Sequence, residues 1–160
     1  MKQNQEQDNL VTTNRKAYHD FFIDEKYEAG MQLLGTEVKS LRAKQVNLAD
    51  SFARIEKDEL VLYNAHISPY THGNLANHDP TRKRKLLLSK REIMKIFGKI
   101  QQKGFTLIPL QIYFNKRGFA KVELGIARGK KIYDKRETLA KKSAEREMAR
   151  GMKQSSLQKG

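Results

Sequence analysis

Apolar residues recur at every second position from Phe21 to Leu33: Phe21, Ile23, Tyr27, Ala29, Met31 and Leu33, broken only by Glu25. A period of two puts alternate side chains on one face, so this stretch predicts a strand. It is long for one straight strand, and Gly30 is the expected place for a bulge or bend that lets it curl. Two shorter strands are predicted at 51–56 and 60–65, joined by the polar turn Lys57-Asp58-Glu59. A basic run, Arg82-Lys83-Arg84-Lys85, merges into Leu86-Leu87-Leu88. As a strand it sets Leu86 and Leu88 on one face and Leu87 with Lys85 on the other. The last two strands form a hairpin, 105–114 and 119–128, around Asn115-Lys116-Arg117-Gly118. Ala120, Val122, Leu124 and Ile126 face one side of it and Lys121 and Glu123 the other, while Pro109 argues for an edge or a bulge in the first arm.

Helices interrupt this pattern in three places. Asn14 is a candidate N-cap for a short helix with Ala17 and Tyr18 facing inward, and a second begins at Thr36, buried through Val38 and Leu41. The most fully specified helix is 89–103. Ser89 and Glu92 make a capping box, and Ile93, Ile96, Phe97 and Ile100 form its apolar stripe. Lys99 and Lys103 suit the dipole of its last turns, and Gly104 closes it. A loop at 66–81 holds two prolines, a glycine and three histidines.

About six short strands around one core, with a helix before the last hairpin, point to a mainly β protein. The preferred form is a closed, six-stranded antiparallel barrel of the oligonucleotide-binding (OB) type. Periodicity alone is equally compatible with another small sheet carrying packed helices. The expected organisation is a disordered N-terminus at 1–13, with Leu10 and Val11 its apolar residues, then a barrel domain at 14–128 and a basic tail at 129–160. The tail carries ten basic and four acidic residues and no continuous apolar stripe. Asp134 with Glu137 offers a capping box, and Glu137 with Lys141 an i, i+4 pair. Such pairs stabilise a helix by only about 0.2–0.5 kcal/mol each. The tail is therefore expected to be disordered when free and helical on a polyanionic partner.

Charge narrows the function. Across 160 residues, 32 Lys and Arg stand against 18 Asp and Glu, a net charge of +14, and the pI is near 10.0. That balance favours nucleic acid as the partner, because each neutralised phosphate releases a condensed counterion. No apolar stretch approaches the roughly 20 residues that span a bilayer, so no membrane partner is expected. The polar first residues resemble neither a signal nor a transit peptide. With no cysteine, thiolate chemistry is excluded and a cytoplasmic location is expected.

No motif for phosphate cradling, nucleophilic attack or zinc catalysis is present, so neither an enzyme nor a cofactor is expected. His66, His72, His78 and Asp79 lack the tight paired spacing of a zinc site, and loop-stabilising or RNA-stacking roles fit them better. Glu28, on the polar face of the long strand, could accept from base amino groups, although an ordinary solvated glutamate has the same spacing. Arg82, Lys83, Arg84, Lys85, Lys90 and Arg91 would contact phosphates, and an exposed Leu87 could pack on an unstacked base. Tyr133, set among Lys130, Lys131, Asp134, Lys135 and Arg136, is suited to stacking on a splayed base.

Several segments in series carry a family resemblance: Asn14-Arg15-Lys16-Ala17, Tyr27-Glu28-Ala29-Gly30, Gly35-Thr36-Glu37-Val38-Lys39-Ser40-Leu41-Arg42, Asn77-His78-Asp79-Pro80-Thr81-Arg82, Arg84-Lys85-Leu86-Leu87-Leu88 and Arg128-Gly129-Lys130-Lys131-Ile132-Tyr133-Asp134-Lys135-Arg136. From about Asn14 to Lys153 the chain resembles the small protein B family, the tmRNA-binding (SsrA-binding) proteins of bacterial trans-translation. The resemblance implies an OB barrel with three helices that binds the tRNA-like domain of tmRNA. It also implies delivery of alanyl-tmRNA, with elongation factor Tu, to a stalled ribosome for peptide tagging and ribosome rescue. Asn14, His19, Glu28, Lys85 and Leu87 match positions of the family's tmRNA surface. Lys130, Lys131, Tyr133, Asp134, Lys135 and Arg136 match the segment at the decoding centre of the small-subunit rRNA. The stretch to Met152 and Lys153 would become a helix in the empty mRNA channel. Two departures stand out: the family often has a glycine near Lys44–Gln45, and Gly151 interrupts the tail helix at a cost of about 1 kcal/mol relative to Ala. A general barrel-type RNA chaperone or initiation factor, and an RNA-processing enzyme, are the competing readings.

Overall fold

The computed structural model describes residues 9–70, 77–102, 104–131 and 146. In chain order the elements are β1 (Leu10–Thr13), α1 (Arg15–Asp20), β2 (Phe21–Met31), α2 (Gly35–Arg42), β3 (Val46–Asn47), β4 (Phe52–Glu56), β5 (Glu59–Tyr63), β6 (His66–Ile67), β7 (Arg84–Leu87), α3 (Lys90–Ile100), β8 (Phe105–Phe114) and β9 (Ala120–Gly129). Neighbours run β8-β4-β5-β7-β2-β9, and β9 pairs back onto β8, so six antiparallel strands close into the expected barrel. β4 meets β8 at Leu107, and β1 takes up the stretch of β8 around Gln111–Tyr113. Residues 10–13, expected to be disordered, are thus a strand with Val11 buried, because β8 leaves backbone there for them to pair with.

All six barrel strands feed one interior. Ala53, Leu60, Leu62, Leu86, Leu107, Ile112, Val122, Leu124 and Ile126 line it, with Leu41 of α2 and Ile96 of α3 packed in the same cluster. A second, smaller cluster of Ala17, Ile108, Leu110 and Ala127, flanked by Phe21 and Ile23, lies under α1. The long alternation of β2 hides a change of side between the two clusters. Ile23 pairs with Ala127 but Glu25 with Ile126, so Asp24 is an extra, bulged residue. Phe21 and Ile23 therefore pack in the α1 cluster, while Tyr27, Ala29 and Met31 pack in the barrel cluster. β8 does the same at Leu110, bulged between Pro109 and Gln111, which is the irregularity Pro109 foretold. The bend expected at Gly30 is at Asp24 instead. Where the two bulged strands approach, a Cβ on Gly125 would come within 2.9 Å of Leu110 Cδ1 and 3.0 Å of Ile23 Cγ2.

The N-caps follow the sequence with local corrections, whereas α3 ends at Ile100 with Gln101 as its C-cap, short of the predicted 103 and of Gly104. Asn14 Oδ1 accepts from the Ala17 N–H, capping α1, but Tyr18 points outward. Ser89 Oγ accepts from the Glu92 N–H at the start of α3. That helix buries Ile96 fully and Ile93 and Ile100 in part. The i, i+3, i+7 line is narrower than the predicted stripe, and Phe97 is left 48% exposed. In the β4–β5 turn, Lys57 and Asp58 both take positive φ (49° and 64°), the backbone of a tight two-residue hairpin. Glu25, the polar break in the alternation, accepts from Tyr27 Oη at 2.7 Å and pairs with Lys99 of α3.

α2 ends in a Schellman motif. The Lys44 N–H donates to Leu41 O (2.9 Å) and the Gln45 N–H to Ser40 O (3.0 Å). Lys44 carries the left-handed φ of 58° that this motif requires, at the place where the resembling family often has glycine. Lys44→Gly is expected to raise unfolding free energy by about 0.5–1 kcal/mol, the strain it relieves being partly offset by a freer unfolded chain. Urea denaturation checks this, and a destabilised variant would contradict it.

Candidate nucleic-acid interface

Pleating sends every second residue of β7, β2, β9 and β8 outward, and the register brings a compact set together. Gly30 pairs with Leu87 on one side and Lys121 on the other, Lys121 pairs with Tyr113, and Glu28 pairs with Glu123. Leu87 is 52% exposed, as the alternation required. Gly30 makes room for it: a Cβ there would lie 3.3 Å from Leu87 Cβ and 3.7 Å from Lys121 Nζ. Across β9, the Tyr113 phenol donates to Glu28 Oε2. Burial first, and the hydrogen bond to Glu28 next, push the Tyr113 hydroxyl well above the usual tyrosine range. Lys26 lies 3.7 Å from Glu123 Oε1, and Lys85 makes a 3.0 Å ion pair with Glu59. The result is a barrel wall with one exposed aliphatic side chain, two adjacent carboxylates, Glu28 held by Tyr113 and Glu123 held by Lys26 and Gln111, and several cations. Such a wall offers a surface for a base face, an acceptor for a base amino group, and charge for phosphates.

The basic run does not act as one patch. Arg84, expected to contact RNA, is fully buried. Its Nε donates to Glu37 Oε2, Nη1 to Ala65 O (2.8 Å) and Arg82 O (3.0 Å), and Nη2 to Pro80 O (3.1 Å) and Asp79 O (3.5 Å). Every guanidinium N–H is therefore used inside the protein, which excludes Arg84 as a phosphate contact. Glu37, also wholly buried, accepts in addition from Arg82 Nη2 (2.5 Å) and from the Leu34 N–H (2.8 Å) at the start of α2. Burial alone would raise the Glu37 carboxyl; the hydrogen bonds from Arg82, Leu34 and Arg84 outweigh it and hold the group below its ordinary range. Arg82 is partly exposed but engaged with Glu37. Lys83 and Lys85 are left as the outward cations of this run.

Asn14 is a second correction. It is 4% exposed, its Nδ2 donates to Leu48 O (3.1 Å) and Pro109 O (2.9 Å), and its N–H donates to Leu110 O (2.7 Å). It satisfies carbonyls of Leu48 and of the β8 bulge and caps α1, so its side-chain amide is engaged inside the protein. His19, by contrast, is exposed, held by Asp20 Oδ1 at 2.8 Å. His78 is buried between Thr36 Oγ1 (2.9 Å) and Ile67 O (2.8 Å), a loop-stabilising role. His72 lies outside the described residues, among which no His, Cys, Asp or Glu group could hold a metal. Lys130 Nζ donates to Tyr18 O (3.1 Å) and sits over the Phe22 ring, and Lys131 is exposed. Tyr133, Asp134, Lys135, Arg136, Met152 and Lys153 lie outside the described residues.

Tyr113 and Lys121 were missed by sequence reasoning. Their only signal was outward parity in the last hairpin, and their meeting with Glu28 and Gly30, 85 residues from Tyr113 in the case of Glu28, is set by β2–β9–β8 register. The outward side of β4 and β5 is different. Phe52 and Tyr63 stack at 5.3 Å with Lys83 over Tyr63 and Arg54 over Phe52, so both outer ring faces are already covered. Among the described residues no helix is long and apolar enough to cross a membrane.

The chain matches the family model described as SmpB protein over residues 11–154. It is 62% identical to the SsrA-binding protein of Carboxydothermus hydrogenoformans over 90% of this chain and 96% of that one. It is 54% identical to the SsrA-binding protein of Caldanaerobacter subterraneus subsp. tengcongensis over 98% and 99% respectively. A chain of the solved structure described as "tmRNA-SmpB: a journey to the center of the bacterial ribosome" is similar with a TM-score of 0.66 and 59% identity, covering 76% of this chain and 85% of that one.

Removing one member of a buried ion pair strands the other. Glu37→Gln is therefore expected to lower unfolding free energy by about 3–5 kcal/mol in urea denaturation. Because the Glu37 carboxyl is held below its ordinary value of 4.5, its stabilisation is complete above that pH and is lost as pH falls from there through the lower folded value. The gap between wild type and Glu37→Gln should narrow over that acid window; a gap independent of pH would contradict the assignment.

Proposed function

The chain belongs to the SmpB protein family, and from that membership we propose that it is an adaptor that binds tmRNA and acts with it on the ribosome in trans-translation. The observation that carries the reading in this chain is the β7–β2–β9–β8 wall, where Leu87 stands exposed beside the Glu28 carboxylate and Lys121. Leu87 supplies a surface for an unstacked base, Glu28 an acceptor for an exocyclic amino group, and Lys85 and Lys121 charge for the flanking phosphates. His19, exposed in α1, supplies a separate contact before β2 begins. The closed barrel supplies a rigid frame, so little ordering accompanies binding at this wall.

The tail has the second task. Lys130 and Lys131 begin a basic segment whose Tyr133, Asp134, Lys135 and Arg136 engage the decoding centre of the small subunit, and whose continuation to Met152 and Lys153 fills the vacant mRNA channel. Folding of the tail there makes the absence of mRNA the signal for entry. Elongation factor Tu brings the complex with alanyl-tmRNA, and the setting is the cytoplasm. The protein performs no catalysis itself; positioning RNA is its whole contribution.

Two experiments test this. In gel shifts, the full chain should bind the tRNA-like domain of tmRNA well above an unrelated tRNA, and Glu28→Ala and Leu87→Asp should each weaken that binding by roughly 5- to 30-fold without lowering thermal stability. Equal affinity for both RNAs would favour a general RNA chaperone. Truncation after Arg128 should leave tmRNA binding largely intact and abolish peptide tagging in a reconstituted stalled-ribosome assay. Tagging by the truncated chain would overturn the role given to the tail.

A further inference from the structure

Glu28 is an exposed strand residue, and an exposed glutamate ordinarily samples several rotamers, so its carboxylate is a poor reader of a base unless something holds it. In this chain something does. The ladder places Glu28 beside Glu123 on β9, and the phenol of Tyr113 reaches across from β8 to donate to Glu28 Oε2. The ring of Tyr113 is half-buried and Tyr113 is itself paired on both sides, with Leu10 of β1 and Lys121 of β9, whereas the exposed Glu28 pairs across one ladder, with Glu123 of β9. The donor is therefore anchored more firmly than the acceptor. Glu28 Oε1 has no hydrogen-bond partner among the described residues. From this geometry we infer that Tyr113 is the positioning residue of the RNA-binding wall: it fixes the Glu28 carboxylate through one oxygen and turns the other outward to accept from a nucleobase amino group.

This rests on the reading of Glu28 as an RNA contact and adds to it a specific division of labour. A Tyr113 that acted only in packing would contribute through its ring. A positioning Tyr113 contributes through its hydroxyl, and only when Glu28 is present. The neighbouring groups do not duplicate it: Lys26 and Gln111 Nε2 both engage Glu123, and Lys85 engages Glu59. The raised hydroxyl pKa agrees with a phenol that remains a donor to a nearby carboxylate across the physiological range.

The test is a double-mutant cycle on the full-length protein with the tRNA-like domain of tmRNA as probe, using Tyr113→Phe, Glu28→Ala and the double variant. Tyr113→Phe is expected to weaken binding about three- to tenfold, the range for freeing one rotamer-rich side chain, and to add nothing in the Glu28→Ala background. In the unbound protein, Glu28→Gln should shift the Tyr113 titration, followed by NMR of ring-labelled tyrosine, back toward the ordinary tyrosine range. Wild-type binding by Tyr113→Phe, with Glu28→Ala weakened, would sink the positioning role alone. The same loss from Tyr113→Phe in both backgrounds would also overturn it, since the hydroxyl would then act independently of Glu28. Unchanged binding by Glu28→Ala would remove the contact itself and the positioning role with it.

Discussion

The buried contact between Glu37 and Arg84 is the constraint that the rest of this barrel is arranged around. Two fully buried charges are costly to desolvate, and such a pair is tolerated only when the remaining hydrogen-bonding capacity is filled. Here it is filled on both sides. Arg84 spends all five donors on Glu37 and on carbonyls of residues 65, 79, 80 and 82, while Glu37 accepts from Arg82 and from the amide of Leu34, the N-cap of α2. A hydrophobic pair of the same volume would pack as well, but it would not specify a path for the 79–82 segment. The guanidinium does, because its planar fork meets carbonyls at fixed angles. The segment entering β7 is thereby set in one register, and that register decides that Leu86 goes in and Leu87 out.

A second constraint acts on the other side of the barrel. The bulges at Asp24 and Leu110 let β2 and β8 serve two apolar clusters with one run of residues each, and Asn14 ties off the carbonyls that the β8 bulge exposes. Arg128 pairs with the bulged Asp24 at 3.2 Å. Because one extra residue exchanges the two faces of a strand, these bulges determine that Glu28 and Tyr113 share the outward wall. The candidate interface is thus a consequence of strand register more than of any local motif.

Much of this was legible in the chain. Strand and helix positions followed from period-2 and period-3.6 patterning, the tight turns from Lys57-Asp58 and Gly118, and the outward Leu87 from simple alternation beside Lys85. What failed did so for identifiable reasons. A bulge leaves odd–even numbering intact while reversing the face, so the change of side in β2 was invisible. Arg84 looked like any other cation of a basic run, because the partner that buries it lies 47 residues away. Asn14 was read correctly as a cap, but its burial and its amide bond to Pro109 O depend on a bulge 95 residues away. Tyr113 carried no sequence signal beyond parity, and its meaning depends on a neighbour supplied by register.

On the proposed reading, RNA contacts the β7–β2–β9–β8 wall and not the stacked β4–β5 side, where cations lie over the rings of Phe52 and Tyr63. The most direct measurement is an NMR titration of the isotopically labelled full chain with the tRNA-like domain of tmRNA. Signals of Glu28, Lys85, Leu87, Tyr113 and Lys121 should shift or broaden at substoichiometric RNA, while those of Phe52, Arg54 and Val61 remain in place. Perturbations centred on Phe52 and Tyr63, with the Leu87 methyls unmoved, would contradict the account.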